Sequence, residues 1–382
     1  MGQSVNFGIH SRLLGQMLLV LAVVLGLGGF HVSKKAIFTA SVIFIYIMVL
    51  LFHSQGEGQI ESLLSLSTDK NNYYSSKLSL FFQMSFVPLI AGFLLSGKAR
   101  DNYFLQGMVY AALMMSVIAI LVGIKYSSYW FSADYQVVTE WREEAVFSSI
   151  SMSILHLAGF ISAVECARTK NNKYIFSSLA MINVIFIVVY QQRTAWVFMV
   201  LSLIYIFLNR QNGLRIGKRI VFLFTAIVFI ALAVVAMGHV GLLNDRIMSY
   251  ALQMVSPELF SSRSGYFEFA WQGFLDRPLG NGWASYSLNG PFRYPHNVVL
   301  ESLYELGIVG GITIIILLIM MLLSTKGLLD CRFSGNPALG NGVVMGLLFG
   351  YLILFSLKAG DINSLNMQLS LSLLFSSYRR AI

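Results

Sequence analysis

Apolar runs of about 20 residues, the length a helix needs to cross a bilayer, alternate with short polar segments along the chain. The runs lack the alternating pattern of outer-membrane barrel strands. The pattern predicts an all-α polytopic transmembrane helical bundle with about eleven spans, or roughly ten to twelve. The predicted spans are 12–30, 36–53, 77–96, 104–124, 147–165, 174–192, 194–209, 220–240, 296–323, 338–357 and 364–378.

Composition supports a membrane protein. Of the 382 residues, 57% are hydrophobic and 11% are charged, whereas soluble domains average about 25% charged residues. The net charge of +9 agrees with the Lys and Arg that collect in cytoplasmic loops. We therefore expect membrane lipids, and no nucleic acid, as partners.

The basic residues also predict an orientation. The larger share of the 26 lysines and arginines lies in short loops on one side of the predicted bundle, and that side is expected to be cytoplasmic, together with the C-terminus. The chain then divides into spans within 1–240, a large outer segment at 241–295 with short amphipathic helices, and further spans within 296–382. The outer segment and Arg193 fall on the same, non-cytoplasmic side.

The outer segment concentrates arginines. It contains Arg246, Arg263, Arg277 and Arg293, and a guanidinium presents a fork of donors that fits phosphate oxygens. We predict that Arg263 opens a helix that Pro278 and the following glycines end. No glycine-rich nucleotide loop and no metal-ligand spacing is present in the sequence. The segment therefore indicates an anionic, lipid-borne and already activated substrate, with no cofactor and no metal.

Arg193 lies between two apolar runs with almost no loop. A charge at that depth tends to mark a function or a partner. The alternative is an interfacial arginine that extends to lipid headgroups, beside Trp196 in an aromatic belt.

His296 begins the next apolar run, where Pro295 is expected to start the helix. An imidazole exchanges protons near neutral pH, although a lone histidine is more often packed or solvated. Glu301 and Glu305 lie four residues apart on one helix face, and we expect them to support the site by pairing with an arginine of the outer segment.

Three blocks resemble the O-antigen polymerase and O-antigen ligase superfamily of bacterial inner-membrane glycosyltransferases. The blocks, all within 185–315, are Gln192-Arg193-Thr194; Arg263 with Trp271 and 278–282; and Pro295-His296-Asn297 with Leu300, Glu301, Glu305, Gly307 and Gly310.

The resemblance implies a fold similar to the GT-C glycosyltransferases and a site on the periplasmic face of the inner membrane. The donor would be an oligosaccharide linked to undecaprenyl pyrophosphate, used without a metal, and a chain-length regulator protein is an expected partner. Arg193 and Arg263 would hold the pyrophosphate, and His296 would orient or deprotonate the acceptor hydroxyl. Arg293, Asn297 and Trp271 are expected to bind substrate as well.

The acceptor separates two enzymes of this superfamily. The four arginines of 241–295 are balanced by Asp245, Glu258, Glu268 and Asp276, which does not suit a phosphate-rich lipopolysaccharide core and favours the polymerase. The ligase remains an alternative. A flippase for lipid-linked oligosaccharides is a second alternative, but it would need basic residues at mid-span in several helices.

Overall fold

The computed structural model describes residues 34–54, 73–94, 104–125, 149–169, 172–189, 193–208, 264–292, 294–330 and 340–358, with the single residues 362, 365, 369 and 373. Over these ranges the regular secondary structure is helical, which confirms the all-α prediction for the described part of the chain. The helices are α1 Lys34–His53, α2 Tyr73–Leu94, α3 Phe104–Lys125, α4 Ser149–Thr169, α5 Lys173–Val189, α6 Arg193–Leu208, α7 Ser264–Asp276, α8 Ser285–Asn289, α9 Val298–Asp330 and α10 Gly340–Lys358.

Eight of these helices correspond to predicted spans, with ends that differ by a few residues. Within the described residues, Lys34–His53 and Val298–Thr325 are long and apolar enough to cross a bilayer, with mean hydropathies of 2.3 and 2.9. Several shorter helices are also apolar. The predicted spans 12–30 and 220–240 lie outside the described residues, and the span 364–378 is described only at residues 365, 369 and 373. The total of about eleven therefore stays a prediction.

The chain folds as two compact units. One comprises Met1–Gly8, Asp101–Ser256 and Asn336–Leu348; the other comprises Ile9–Arg100, Pro257–Gly335 and Phe349–Ile382.

In the first unit, α4 packs against α3, α5 and α6. Gly159 allows this approach, since a Cβ there would lie 2.5 Å from the Ala112 Cβ and 2.8 Å from the Asn183 Oδ1. His156 Nδ1 and Asn183 Oδ1 lie 2.9 Å apart in this buried contact. Between α5 and α6, Trp196 Nε1 donates to the Ile187 carbonyl at 2.9 Å. Trp196 therefore satisfies one of the carbonyls that a helix end leaves open.

In the second unit, α9 packs against α1, α7 and α8, and α8 also packs against α2. Tyr46 of α1 reaches Ser302 of α9, with 3.3 Å between the two hydroxyl oxygens. Tyr286, which is fully buried, forms a hydrophobic cluster with Ala270, Phe269 and Tyr304. This cluster holds the short helices α7 and α8 on the first turns of α9.

Candidate active site

The N-terminal end of α9 is capped by Asn297. Its Oδ1 accepts from the Val299 and Leu300 backbone N–H groups at 3.0 and 3.1 Å, and its Nδ2 donates to the Leu357 carbonyl at 3.0 Å. This arrangement satisfies orphan donors of the first helical turn. The prediction that Pro295 starts the helix was wrong, because Asn297 supplies the cap and the helix begins at Val298.

His296 precedes this cap in a left-handed backbone conformation, with φ of 59°. Such a conformation is sterically unfavourable for a residue with a side chain, by about 1–2 kcal/mol, so the surrounding contacts must hold it. Its ring lies among aromatic rings, with centroid distances of 4.5 Å to Tyr294, 5.2 Å to Phe292 and 6.3 Å to Tyr266. Tyr266 and Phe292 also stack on each other at 5.6 Å. The imidazole is therefore half-buried on an aromatic surface contributed by α7 and the segment before α9.

Helix α9 breaks at Gly307, where φ is 68° and ψ is −163°. The break frees backbone groups, and the loop 278–282 bonds to them. Asn281 N donates to the Tyr304 carbonyl at 2.9 Å, Gly282 N donates to the Glu305 carbonyl at 3.0 Å, and Ile308 N donates to the Pro278 carbonyl at 2.9 Å. The loop thus replaces hydrogen bonds that a continuous helix would make to itself.

The glycines of this junction permit the close approach. A Cβ on Gly307 would lie 2.3 Å from the Leu279 carbonyl carbon, and one on Gly280 would lie 2.7 Å from the Glu305 carbonyl oxygen. Both glycines also have positive φ, which an L side chain rarely adopts. The glycine-rich block of the sequence is therefore a docking loop for the break in α9.

Glu301 and Glu305 pair with Lys77 of α2. Lys77 Nζ lies 2.5 Å from Glu301 Oε1 and 2.7 Å from Glu305 Oε1, and the three side chains are fully buried. This partner is a lysine from α2, whereas the sequence predicted an arginine of the outer segment. Arg246, Arg263 and Arg293 lie outside the described residues, so a pairing with one of them, like the supporting role of the two carboxylates, stays a prediction. The contacts with Lys77 join α2 to α9.

The two carboxylates also accept backbone hydrogen bonds. Glu305 Oε2 accepts from Ala284 N at 3.0 Å, and Glu301 Oε2 accepts from Ile362 N at 2.9 Å. Buried charges need this combination of a counter-charge and further hydrogen bonds. The cluster of Lys77, Glu301 and Glu305 therefore ties α2, α9, the docking loop and residue 362 together.

Trp283 covers this cluster. Its ring lies 4.8 Å from Lys77 Nζ and packs edge-to-face on Phe81 at 6.0 Å. Its backbone N–H donates to the His53 carbonyl at 2.8 Å. A cation over an indole face is attracted to the ring electrons, so Trp283 stabilises the charge of Lys77.

Tyr286 links α8 to α7. Its hydroxyl donates to the Tyr266 carbonyl at 3.3 Å, and burial raises the pKa of this hydroxyl. It therefore stays protonated and remains a donor well above neutral pH. The contact helps to fix Tyr266, one of the rings around His296.

The structure brings together only part of the predicted site. His296, Asn297, Glu301 and Glu305 lie on or next to the first turns of α9, whereas Trp271 is exposed on α7 and contacts Phe274 at 5.4 Å between ring centroids. Arg193 is the first residue of α6, in the other unit. Arg263 and Arg293 lie outside the described residues.

Lys77 is the residue that sequence reasoning missed. It is the first residue of the predicted span 77–96, where a lysine is expected at the membrane boundary. An ionisable residue followed by a long apolar run is itself a sign of a buried partner, and that sign was present in the sequence. Among the described residues, no group of three His, Cys, Asp or Glu side chains is placed to bind a metal ion.

The segment that contains the described site is similar to a known family. Residues 176–315 match the family model described as O-Antigen ligase. This match confirms, over that segment, the resemblance to the O-antigen polymerase and ligase superfamily of glycosyltransferases. Together, the match and the apolar helices indicate a membrane protein. No curated protein matches the chain.

Proposed function

We propose that this chain is an O-antigen polymerase that works at the outer, periplasmic face of the bacterial inner membrane. It would extend a glycan by joining oligosaccharide units carried on undecaprenyl pyrophosphate. The observation that carries the proposal is the geometry of His296 within the segment matching the O-antigen ligase family. The residue is held in a left-handed conformation among three aromatic rings, directly before the Asn297 cap.

In this mechanism the acceptor sugar hydroxyl binds next to His296. The imidazole accepts the hydroxyl proton as the oxygen attacks the anomeric carbon of the donor glycan, and the bond from that carbon to the pyrophosphate breaks. The pyrophosphate leaves with the lipid and with the electron pair of the broken bond. A positioned base of this kind contributes about 10²–10⁴-fold to a rate.

The leaving pyrophosphate needs charge stabilisation, which we assign to Arg193 and Arg263. Preorganised donors aimed at developing charge are often the largest catalytic contribution, about 3–4 kcal/mol for one donor. Arg293 would bind the substrate beside His296. The cap contacts of Asn297 leave its side chain already engaged, so it would act by holding the backbone of His296 and Asn297 in place. Trp271 would contact substrate or the lipid around it from α7.

The fold expected for this function is a GT-C-like bundle of about eleven spans with its C-terminus in the cytoplasm. The apolar helices support this arrangement. A chain-length regulator protein is the proposed partner in the membrane.

The description of the matching family favours a second candidate, an O-antigen ligase that transfers the glycan to the lipid A–core. The two candidates use the same donor and differ only in acceptor. The balanced charge of 241–295 supports the polymerase, because a phosphate-rich core would favour a surplus of basic residues.

Complementation distinguishes the two. The gene is expressed in one strain that lacks its polymerase and in another that lacks its ligase, with the matching donor pathway in each. The polymerase predicts long-chain polymer in the first strain and no new core attachment in the second. Restored attachment in the second strain alone would make the chain a ligase, and neither phenotype restored despite normal membrane insertion would contradict both.

A further inference from the structure

A cavity of about 340 Å³ opens between α7, the docking loop, α8 and the first turns of α9. It is separate from the buried lysine cluster and from the surroundings of His296. Ligand pockets in proteins typically occupy about 300–1,000 Å³, so this volume suits a small ligand or one part of a larger one.

The polar lining of the cavity carries donors and acceptors with no surplus of charge. Gln272, Asp276, Arg277, Asn281 and Asn289 contribute to it. Asn281 Nδ2 donates to the Gly273 and Tyr304 carbonyls, both at 3.0 Å, which fixes the amide and leaves Oδ1 as its acceptor. Paired amide, carboxylate and guanidinium groups suit sugar hydroxyls, since each hydroxyl both donates and accepts. A phosphate would instead favour positive charge alone.

The apolar lining is aromatic. The Phe269 and Tyr304 rings both border the cavity and stack at 5.7 Å with an interplanar angle of 29°. Gly273 is required for this arrangement, because a Cβ there would lie 2.2 Å from the Tyr304 ring. Glycine weakens a helix interior relative to alanine, so its place in the middle of α7 is explained by the ring. Flat aromatic faces are suited to the C–H face of a pyranose.

The cavity and His296 lie along one face of α7. Tyr266, Phe269, Gly273 and Asp276 follow each other at intervals of three and four residues, which places them on the same side of a helix. Tyr266 contacts the His296 ring, whereas the other three line the cavity. From Tyr266 to Gly273 the helix rises by about 10 Å, a distance that a short glycan spans.

We propose that this cavity is a glycan subsite that holds one or two uncharged sugar rings next to the reacting end. The inference rests on the proposed glycosyl transfer and adds to it a place where the chain selects its sugar. Gln272 and Arg277 donate to the sugar hydroxyls, Asp276 accepts from them, and the half-buried Phe269 ring contacts the sugar face.

Binding of a free glycan tests the subsite without requiring transfer. The probe is the single-unit oligosaccharide released by mild acid from the lipid-linked glycan of the producing cells, which carries no lipid and no phosphate. It is titrated into the purified full-length protein in detergent, and binding is measured by saturation-transfer NMR. The variants are Gln272→Ala and Arg277→Ala, and the matched control is Glu268→Ala, an exposed residue of α7 outside the cavity.

The wild-type protein and the control variant should bind the oligosaccharide equally well. Loss of one hydrogen-bonding side chain should weaken binding by about 5-fold, with an unchanged melting temperature because both mutated side chains are exposed. No binding by the wild type, equal affinity in all variants, or displacement of the oligosaccharide by inorganic pyrophosphate would each overturn the subsite. Binding with no polymerisation would leave the subsite standing and refute the polymerase, whereas polymerisation with unaltered binding in both variants would support the polymerase and overturn the subsite.

Discussion

His296 lies just outside α9, whereas Glu301 and Glu305 lie inside it, and their surroundings separate their roles. The imidazole is half-buried on an aromatic surface. The two carboxylates are fully buried against Lys77. These surroundings are the basis of the proposed roles, in which the histidine meets the substrate and the carboxylates hold helices together.

We predict that His296→Ala lowers polymer formation by about 10²–10⁴-fold with little change in melting temperature. Glu305→Ala should instead destabilise the protein by about 1–3 kcal/mol, because the buried Ala284 N–H loses its acceptor, while Lys77 keeps Glu301 as its counter-charge. A melting curve in detergent paired with polymer formation from defined lipid-linked substrate measures both effects. If His296→Ala unfolds the protein while Glu305→Ala melts normally and loses only turnover, the two roles are reversed.

The second prediction at the residue scale concerns Arg193 and Arg263, the two arginines assigned to the pyrophosphate. Arg193→Ala and Arg263→Ala should each abolish polymer in cells while the protein still inserts at normal levels, because the pyrophosphate loses its donors. Arg→Lys should restore little activity, since a point charge does not replace the planar fork. Polymer length on gels and protein level by immunoblot provide the readout, and full activity in either Ala variant would remove that residue from the site.

At the scale of elements, the break in α9 and the docking loop 278–282 depend on each other. Gly307 opens the helix, and residues 278–282 supply the hydrogen bonds that the break releases. The same loop leads directly to Ala284, whose N–H bonds Glu305. The loop therefore connects the helix break to the buried lysine cluster.

This connection predicts the effect of alanine at the junction. Gly307→Ala should lower the melting temperature and the activity together, because its Cβ would lie 2.3 Å from the Leu279 backbone at a positive φ. Gly107→Ala is the matched control, because a Cβ built on this helical glycine meets no described atom within 4 Å outside its own helix backbone. This substitution should be neutral or slightly stabilising. Equal melting temperatures for both variants would show that the junction tolerates a side chain.

The sequence predicts an element well when the contacts that determine it are local in the chain, and poorly when those contacts come from distant residues. The helix after Arg263 was predicted well, since the stop signal at 278–280 is local. The start of α9 was predicted at Pro295, because proline is acceptable at a helix start. The cap is instead Asn297, whose side chain bonds both the first helical turn and the distant Leu357 carbonyl. The break at Gly307 could not be predicted, since glycines in apolar helices more often serve close packing. The partner of Glu301 and Glu305 was missed because it depends on which helix packs against α9.

At the scale of the whole molecule, the proposed reaction takes place where no nucleotide supply exists. The substrate must already carry a good leaving group, and the arginines and histidine must act on it without help from a cofactor. The roles of Arg193 and Arg263 remain sequence-based predictions, because one belongs to the other unit and one lies outside the described residues.

Metal independence follows as a prediction for the intact enzyme. The outer segments of the sequence have no clustered His or carboxylates at ligand spacing, so charge stabilisation is assigned to the arginines. Purified protein should retain its activity in excess chelator. A loss of activity that Mg²⁺ or Mn²⁺ restores would refute this assignment.

Glycosyl transfer by the purified protein is the most direct test of the central claim. Wild-type protein and His296→Ala are reconstituted in liposomes with a single repeat unit on undecaprenyl pyrophosphate, and the products are separated by size with and without added lipid A–core. The proposal predicts a ladder of lipid-linked polymers from the wild type, formed without lipid A–core, and only the starting unit from the variant. No ladder from folded wild-type protein, or products that form only on lipid A–core, would contradict the assignment as a polymerase.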